Sequence, residues 1–236
     1  MALPILETPE FEATLPSTGE SILFRPFLVK EEKILFMALQ GGDQNEMMNA
    51  VKNILGACVL SPEYFAVENL TMYDVEYLFL KLRGKSVGEQ IDLKVKHPDS
   101  ECNHITEVSI NIDDIEVQFP ENYSDKIQLT ETIGIKMKPI GFTSSFDLNL
   151  DDPSFDDLIA VVAQCVDMLY DDQNVYEDFT QEELVTFLER LNQSQFAKIQ
   201  EFFNMSPKLS HTITWTCEKC GETETITVEG LNNFFT

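Results

Sequence analysis

The chain has 236 residues, of which 43% are hydrophobic, and its 41 acidic and 16 basic side chains give a formal net charge of −25. A surface this negative repels the phosphate backbone of nucleic acids, and no cluster of Lys or Arg interleaved with aromatic residues offsets it. We therefore expect a folded, soluble protein that binds no nucleic acid. Solubility by self-repulsion is the first explanation of the negative charge, and attraction of a basic protein partner is the second.

The sequence lacks the patterns that direct a protein to a membrane or to export. No apolar run approaches the roughly 20 residues that cross a bilayer, and the N-terminal stretch has neither the basic start nor the apolar core of a signal peptide. The five cysteines are an odd number, so reduced thiols in a cytoplasm are expected rather than a disulfide framework. Cys58 and Cys165 lie among apolar residues and are interpreted as core residues.

The first third of the chain predicts one strand and three helices. Alternation over residues 21–27 indicates a strand, and helical spacing then indicates a helix that ends at Gly41 and a second helix over about 43–59. A third helix begins at Thr71, where Thr71 to Asp74 has the form of an N-terminal cap. The apolar residues at helical spacing in the first two helices are Ile34, Leu35, Ala38, Leu39, Met47, Ala50, Val51, Ile54, Leu55 and Cys58.

From Gln90 the hydrophobic period changes to two, which predicts a mainly antiparallel sheet with short turns. Its strands are expected at 90–98, 104–112, 114–119 and within 126–140. Three helices should follow, over 155–172, over 183–192 behind a capping box at Thr180, and from 193 to a point before Pro207. The chain closes with a hairpin of residues 210–216 and 222–228.

These elements predict an α+β fold. We expect one interlocked unit over residues 1–236, with N-terminal helices, central mainly antiparallel β hairpins, C-terminal helices and a terminal hairpin that carries two cysteines. Its sub-regions are 1–89, 90–150, 151–207 and 208–236.

Cys217 and Cys220, followed by Gly221, stand at the turn of the terminal hairpin. A Cys-x2-Cys-Gly turn is typical of half a zinc site, and zinc prefers four N or S ligands in a tetrahedron. The mid-chain hairpin offers the other half, because its turn holds His97 and Cys102. The predicted ligands of a structural zinc ion are therefore His97, Cys102, Cys217 and Cys220.

Three alternatives to this zinc site stay open. His104 lies in the same turn and could replace His97 as the fourth ligand, and both histidines could be ordinary exposed turn residues. A redox pair of Cys217 and Cys220 is the third interpretation, but such pairs begin a helix in a βαβ setting. The β-branched residues on both sides of this pair disfavour the redox interpretation.

The sequence offers little support for catalysis. None of its three histidines has a serine or cysteine nucleophile signature around it. Gly84, Lys85 and Ser86 lack the upstream glycine and preceding strand of a phosphate-binding loop, and the acidic stretches 147–152 and 171–174 lack the spacing of a calcium loop. We expect no enzyme activity, no catalytic residues and no organic cofactor, and we rank a hydrolase with acids hidden in the sheet last.

Four stretches, residues 15–40, 73–98, 195–221 and 228–235, resemble one family in order and spacing. They are similar to the baseplate hub proteins of T-even-type contractile-tailed bacteriophages, described as hub subunits or hub assembly chaperones, and versions from phages of cyanobacteria are especially similar. The resemblance implies a non-enzymatic protein that contacts other hub or tail proteins. It also implies a location in the bacterial host cytoplasm during assembly, and it leaves open whether the protein stays in the tail baseplate of the virion.

Two further expectations concern binding. Apolar segments at 24–29, 200–205 and 230–235 could each dock a partner or simply close the core, and we expect at most one of them to be an interface. The alternative function is a zinc-ribbon adaptor of transcription, which the Cys-x2-Cys turn alone suggests and the acidic excess disfavours. The resemblance implies that metal is dispensable for the family's function, since cysteine-rich turns at these two hairpins vary among members.

Overall fold

The structure is a computed structural model that describes residues 6–99, 102–145 and 154–230. Its helices are α1 (Val29–Gly41), α2 (Gln44–Cys58), α3 (Met72–Val87), α4 (Phe155–Gln164), α5 (Gln181–Glu189) and α6 (Gln193–Asn204). Its strands are β1 (Phe11–Thr14), β2 (Ser21–Phe24), β3 (Val59–Ser61), β4 (Gln90–Lys96), β5 (Ile105–Asn111), β6 (Glu116–Gln118), β7 (Lys126–Gln128), β8 (Gly134–Met137), β9 (Val166–Tyr170), β10 (Val175–Tyr176), β11 (Lys208–Thr216) and β12 (Thr223–Glu229). This mixture in small antiparallel sheets confirms the α+β prediction.

The chain forms two compact units. Unit 1 comprises Met1–Val67, Tyr73–Gln118 and Lys208–Thr236, and unit 2 comprises Glu68–Met72 and Phe119–Pro207. Unit 1 is therefore discontinuous in sequence. Its mid-chain hairpin β4–β5 and its terminal hairpin β11–β12 are separated along the chain by most of unit 2.

In the described part of unit 1 the strands form small sheets of order β1-β2-β3, β12-β11-β6 and β4-β5. One apolar cluster joins α3 to both hairpins, because Leu80 packs with the inward-facing residues of β4 and β11. The strands alternate as the sequence predicts: every second residue of β4, from Ile91 to Val95, is buried. The buried members of this cluster are Leu80, Ile91, Leu93, Val95, Ile110, Ile112, Ile115, Leu209, Ile213, Trp215, Cys217 and Val228.

The described residues of unit 2 form an antiparallel sheet of order β10-β9-β8-β7. Its apolar core combines residues of the sheet, such as Ile135, with residues of all three helices α4, α5 and α6. Each of these helices begins with a reciprocal capping box, at Ser154, Thr180 and Asn192, so the capping box predicted at Thr180 is confirmed. Caps of this kind satisfy backbone N–H groups that have no partner within the helix.

The helix predicted over 155–172 is wrong in its second half. Helix α4 ends at Gln164, and the following residues form β9. The Cys165 carbonyl accepts a hydrogen bond from the Lys138 N–H (2.8 Å), and β9 pairs along β8. Pairing with a strand 30 residues earlier overrides the local helical pattern, because each paired residue then satisfies its backbone groups in the sheet.

The first two helices differ in how their apolar residues are placed. In α2 the predicted inner residues Ala50, Val51, Ile54, Leu55 and Cys58 are buried. In α1, by contrast, the buried residues are Ala38 and the charged Glu31, while Ile34 and Leu39 are exposed.

Within the described residues, no helix is long and apolar enough to span a membrane.

Candidate metal centre

The four predicted ligands lie in two hairpin turns of unit 1 that start in the same way. The last strand pair of β4–β5 is Lys96 with Ile105, and the last pair of β11–β12 is Thr216 with Thr223. His97 and Cys217 are each the next residue after that pair. The His97 N–H donates to the carbonyl of His104 (2.8 Å), as the Cys217 N–H does to that of Glu222 (2.8 Å).

The two turns also return in the same way. Cys102 and Cys220 are each followed by a residue with positive φ, Asn103 at 46° and Gly221 at 76°. The N–H groups of these two residues donate to carbonyls inside their own turns, those of Asp99 (2.9 Å) and Cys217 (2.9 Å). Glycine, and to a lesser degree asparagine, tolerates the left-handed region, which explains why these residue types follow the cysteines.

The structure brings the four side chains together. The Sγ atoms of Cys102 and Cys217 are 3.7 Å apart, and the Nε2 atom of His97 lies 3.5 Å from Sγ of Cys220. The ligand atoms of His97, Cys217 and Cys220 all lie within 4.8 Å of one another. We call these four residues, His97, Cys102, Cys217 and Cys220, the knuckle cluster.

The knuckle cluster continues the apolar core of unit 1. Cys217 belongs to that core and Cys102 packs against it, and the ring of His97 contacts the ring of Trp215 edge-on, with centroids 6.0 Å apart. His97 and Cys217 are buried, Cys102 is half-buried and Cys220 is exposed. One side of the cluster is therefore dry, and the other opens to solvent at Cys220.

His104, the alternative fourth ligand, occupies a different position. Its Nε2 atom lies 3.9 Å from a carboxylate oxygen of Glu218. Its backbone carbonyl accepts the hydrogen bond from the His97 N–H. Among the described residues, the sulfur-containing group of mutually close ligand atoms consists of His97, Cys217 and Cys220, so it omits His104 and also Cys102. Cys102 joins the cluster through its 3.7 Å contact with Cys217, and in the described part of the chain no such contact links His104 to a cysteine of the cluster.

Sequence reasoning missed Glu222. Its Oε2 atom lies 3.5 Å from Nε2 of His97 and 3.9 Å from Sγ of Cys220, and a second group of close ligand atoms consists of His97, Glu222 and Glu224. The only signal in the sequence was a carboxylate two residues after Cys220, which 41 acidic residues made impossible to single out.

The thiols of the knuckle cluster have opposite pKa shifts. Burial raises the pKa of Cys217, but hydrogen bonds from the N–H groups of Cys220 and Lys219 and from the Cys220 and Cys102 thiols outweigh it and lower this pKa to about 6. The Glu222 N–H lowers the pKa of Cys220, whereas burial and the neighbouring Cys217 and Cys102 thiols raise it to about 11. The cluster thus favours one thiolate, at Cys217, over two.

One contact of His97 works against metal binding through Nε2. The N–H of Asp99 donates to Nδ1 of His97 at 3.2 Å, which in a neutral ring leaves the proton on Nε2. In that tautomer the contact between His97 and Cys220 is an N–H···S hydrogen bond. A metal at Nε2 requires the proton to move to Nδ1 and the Asp99 hydrogen bond to be given up.

Outside the knuckle cluster, two stretches considered for ligand binding have structural roles. The Ser86 hydroxyl donates to the Leu82 carbonyl within α3 and accepts from the Phe27 N–H. Asp171 accepts from the N–H groups of Gln173 and Asn174 and from the Tyr176 hydroxyl, which lowers its pKa and closes the β9–β10 turn. The acidic stretch 147–152 lies outside the described residues.

A surface groove lies along α5. It is lined by Thr180, Glu182, Glu183, Thr186, Phe187 and Arg190, and all of these belong to one helix and its two caps. The arrangement lacks the convergence of polar groups from several elements that ligand sites usually show.

A family model described as "T4 bacteriophage base plate protein" matches residues 8–236, nearly the whole chain. No curated protein and no solved structure matches the chain.

Proposed function

The chain belongs to the family of T4 bacteriophage base plate proteins, and we propose that it is a component or an assembly chaperone of the baseplate hub. It acts by binding other tail proteins and catalyses no reaction. The observation that carries this proposal is the family match over residues 8–236. A baseplate protein binds other proteins of the phage tail, and the hub is the part of the baseplate that the sequence resemblance favours.

Charge supports a protein partner of opposite sign. The net charge of −25 attracts a basic protein surface and speeds its encounter at low ionic strength. The same field disfavours the alternative function, an adaptor of transcription that would approach DNA.

Helix α1 offers an apolar surface for such a partner. Phe36 and Met37 are 58% and 61% exposed. Val29, which lies about two helical turns before Phe36 on the same side of the helix, is also exposed. A surface helix of a stable monomer usually turns its apolar side inward and its polar side to solvent. Here the buried stripe runs through Glu31 and Ala38, on the side of the helix opposite Val29 and Phe36.

Hydrogen bonds of Glu31 stabilise the buried side of α1. The Glu31 carboxylate accepts from the Arg25 guanidinium (3.0 Å) and from the Leu28 N–H (2.8 Å). Burial raises the pKa of Glu31, but these hydrogen bonds outweigh it and lower that pKa. Glu31 is therefore ionised at neutral pH and holds the helix in the orientation that leaves Phe36 and Met37 outside.

The three apolar segments considered from the sequence contribute less. In 24–29 the rings of Phe24 and Phe27 are buried, and the exposed Leu28 and Val29 are the N-cap and the first residue of α1. In 200–205 Phe202 is buried and Phe203 packs against the core of unit 2. In 230–235 all residues after Gly230 lie outside the described part of the chain. Binding is therefore proposed for α1 with its N-terminal neighbours.

The proposal places the protein in the bacterial host cytoplasm while the baseplate is built, and in the tail baseplate if it remains a subunit. The described cysteines are all free, which fits assembly in a reducing cytoplasm.

The experiment is co-expression with the other baseplate proteins of the same phage, followed by purification and identification of each bound chain. We expect a stable complex with at least one tail protein. The double substitution Phe36→Ser and Met37→Ser should weaken this complex at least about tenfold, because buried apolar residues near an interface centre carry most of its affinity. Val175→Ser is the matched control, since Val175 in unit 2 is equally exposed at 61%.

Two results would contradict the proposal. Failure to recover a complex with any tail protein, from co-expression or from infected cells, would remove the hub function. Binding to DNA at physiological salt would instead support the adaptor of transcription. An unchanged complex in the α1 variant would retain the hub function and reject α1 as the contact surface.

A further inference from the structure

We propose that the knuckle cluster binds one structural zinc ion through His97, Cys102, Cys217 and Cys220, and that this ion fastens the terminal hairpin to the mid-chain hairpin. The proposal goes beyond the hub function and stands independently of it. It rests on distances, donor chemistry and the similar construction of the two turns.

Two of the six distances between the ligand atoms match those of a tetrahedral zinc site. Two thiolates about 2.3 Å from zinc lie about 3.8 Å apart at the tetrahedral angle, and an imidazole nitrogen at about 2.05 Å lies about 3.6 Å from a thiolate. The structure has 3.7 Å between Cys102 and Cys217 and 3.5 Å between His97 and Cys220. The Cys102–Cys217 distance and the His97–Cys220 distance therefore both have the length that a shared ion requires.

The donor set selects zinc among common biological metals. Three thiols and one imidazole are soft and borderline ligands, which suit zinc, whereas magnesium and calcium prefer oxygen. Four protein ligands complete the coordination shell and leave no position for a reacting water, so the ion has a structural role. Binding displaces the remaining thiol protons to solvent.

The two turns present their ligands in a similar way, although four residues separate His97 from Cys102 and two separate the cysteines of the other turn. Each turn places its first ligand directly after the strand and its second ligand before a residue with positive φ, as described above for Asn103 and Gly221. The Lys219 ammonium donates to the Cys102 carbonyl at 2.8 Å, so a direct contact already joins the turns. It also puts a positive charge beside a site that three thiolates would leave negative.

The hairpin β4–β5 gains most from such an ion. It is a sheet of only two strands, and isolated two-stranded hairpins are at best marginally stable in water. Its apolar face packs in the core of unit 1, but its turn is joined to β11–β12 through the knuckle cluster and Lys219. Zinc would fasten the turn by bonds to both hairpins at once.

The first test is metal content and cobalt spectroscopy of the full chain. Protein purified with zinc should carry one zinc per chain, and cobalt(II) exchanged into the site should show the strong thiolate-to-cobalt absorption and the intense d–d bands of a tetrahedral centre. Cys217→Ser and Cys102→Ser should lose the bound metal, and His97→Asn should weaken zinc binding at least about tenfold because one of four ligands is removed.

The chain offers matched controls. Cys58→Ala and Cys165→Ala remove buried thiols outside the cluster, and His104→Asn removes the neighbouring histidine. Glu222→Gln removes the one carboxylate within 4 Å of both His97 and Cys220 in the described part of the chain. All four variants should keep one zinc per chain, because none of them supplies a ligand of the tetrahedron.

The single tryptophan gives a readout that does not depend on recovering each variant in folded form. Trp215 lies against the ring of His97, so cobalt(II) bound in the cluster should quench most of its fluorescence in the wild-type protein. A chelator should restore the fluorescence, and zinc added in excess should prevent the quenching.

Three results would overturn the proposal. Wild-type protein that takes up no zinc or cobalt under reducing conditions would leave the cluster as a hydrogen-bonded group of thiols. A mass two daltons lower, with no metal under the same conditions, would assign a disulfide. Metal retained by Cys217→Ser together with Cys102→Ser would place the ion elsewhere in the chain.

Discussion

Cys165 in unit 2 and Cys217 in unit 1 are equally buried, each with 1% of its surface exposed, yet their thiols differ in acidity. Burial raises the pKa of Cys165 to about 11, and the Lys138 charge opposes this only weakly. At Cys217, N–H groups and neighbouring thiols overcome burial and lower the pKa to about 6. Burial alone therefore does not decide how readily a cysteine thiol ionises, because hydrogen-bond donors around the sulfur determine whether its thiolate is stabilised.

The surroundings of the two cysteines explain this difference. Cys165 ends a helix that packs on the sheet of unit 2, and three helices supply that sheet with apolar neighbours. Cys217 stands at a hairpin turn, where backbone N–H groups point inward and a second turn meets it. The helices over the sheet of unit 2 surround Cys165 with apolar side chains, whereas the tips of the two hairpins in unit 1 bring polar ligands together.

The largest expected effect is on hydrogen exchange after removal of the zinc ion proposed for the knuckle cluster. Structural zinc is worth up to about 10–16 kcal/mol in small metal-dependent domains. A site attached to an apolar core should give less, and we expect a chelator to lower the opening free energy of residues 208–229 by about 3 kcal/mol or more. Exchange in residues 155–204 of unit 2 should stay unchanged. Equal loss of protection in both units, or in neither, would contradict this contrast.

The converse perturbation is Gly134→Ala in unit 2. A methyl group at Gly134 would overlap the ring of Tyr170 on the neighbouring strand, so we expect a loss of about 1–3 kcal/mol from overpacking. The loss should appear in urea unfolding, while the metal content of the protein stays the same.

Gly56→Ala is the matched control for this substitution. Nothing lies within 4 Å of a methyl group at Gly56, which is exposed within α2, so alanine should stabilise the helix by about 0.5–1 kcal/mol. A similar loss from both substitutions would show that Tyr170 has no part in the first effect.

A smaller effect should appear with alkaline pH. The pKa of Cys165 is raised from 9.0 to about 11, so between these values the unfolded state loses its thiol proton while the folded state keeps it. Stability is therefore full below pH 9 and falls as pH rises toward 11, by at most about 1.4 kcal/mol per pH unit for this group.

Urea unfolding at pH 8, 9 and 10 measures this slope. Cys165→Ala should make the decline with pH shallower than in the wild type, whatever its effect on stability at pH 8. Cys58, whose pKa burial also raises to about 11, should behave in the same way, although it belongs to unit 1. An unchanged slope in both variants would mean that these thiols have the same pKa in the folded and in the unfolded state.

The smallest effect should come from the charged pair Lys94–Glu107 on the β4–β5 hairpin. Their atoms are 3.7 Å apart and both side chains are exposed, so Glu107→Gln should change stability by less than about 0.5 kcal/mol. A loss of several kcal/mol in thermal unfolding would assign the stability of this hairpin to cross-strand charge instead of its core and knuckle cluster.

Local patterns in the sequence predicted most of the elements. Helices α2, α5 and α6 and the strands of both hairpins follow from spacing, caps and turn residues, because these features act between residues a few positions apart. The two turns could be matched for the same reason: His97 and Cys217 each follow a strand whose end the alternation marks.

Contacts between distant segments decided the rest. Pairing with β8 turned residues 166–170 from helix into strand. The Arg25 guanidinium, which donates to the Ala57 carbonyl of α2, holds Glu31 on the buried side of α1 and so helps leave Phe36 outside. Folding also placed Glu222 beside His97. None of these outcomes is visible in local periodicity, because each depends on which backbone or charge comes to lie opposite. The sequence by itself determined which residues could serve as ligands, and only the tertiary structure decided that two turns more than 100 residues apart would meet, since burying a shared apolar core brings their strands together.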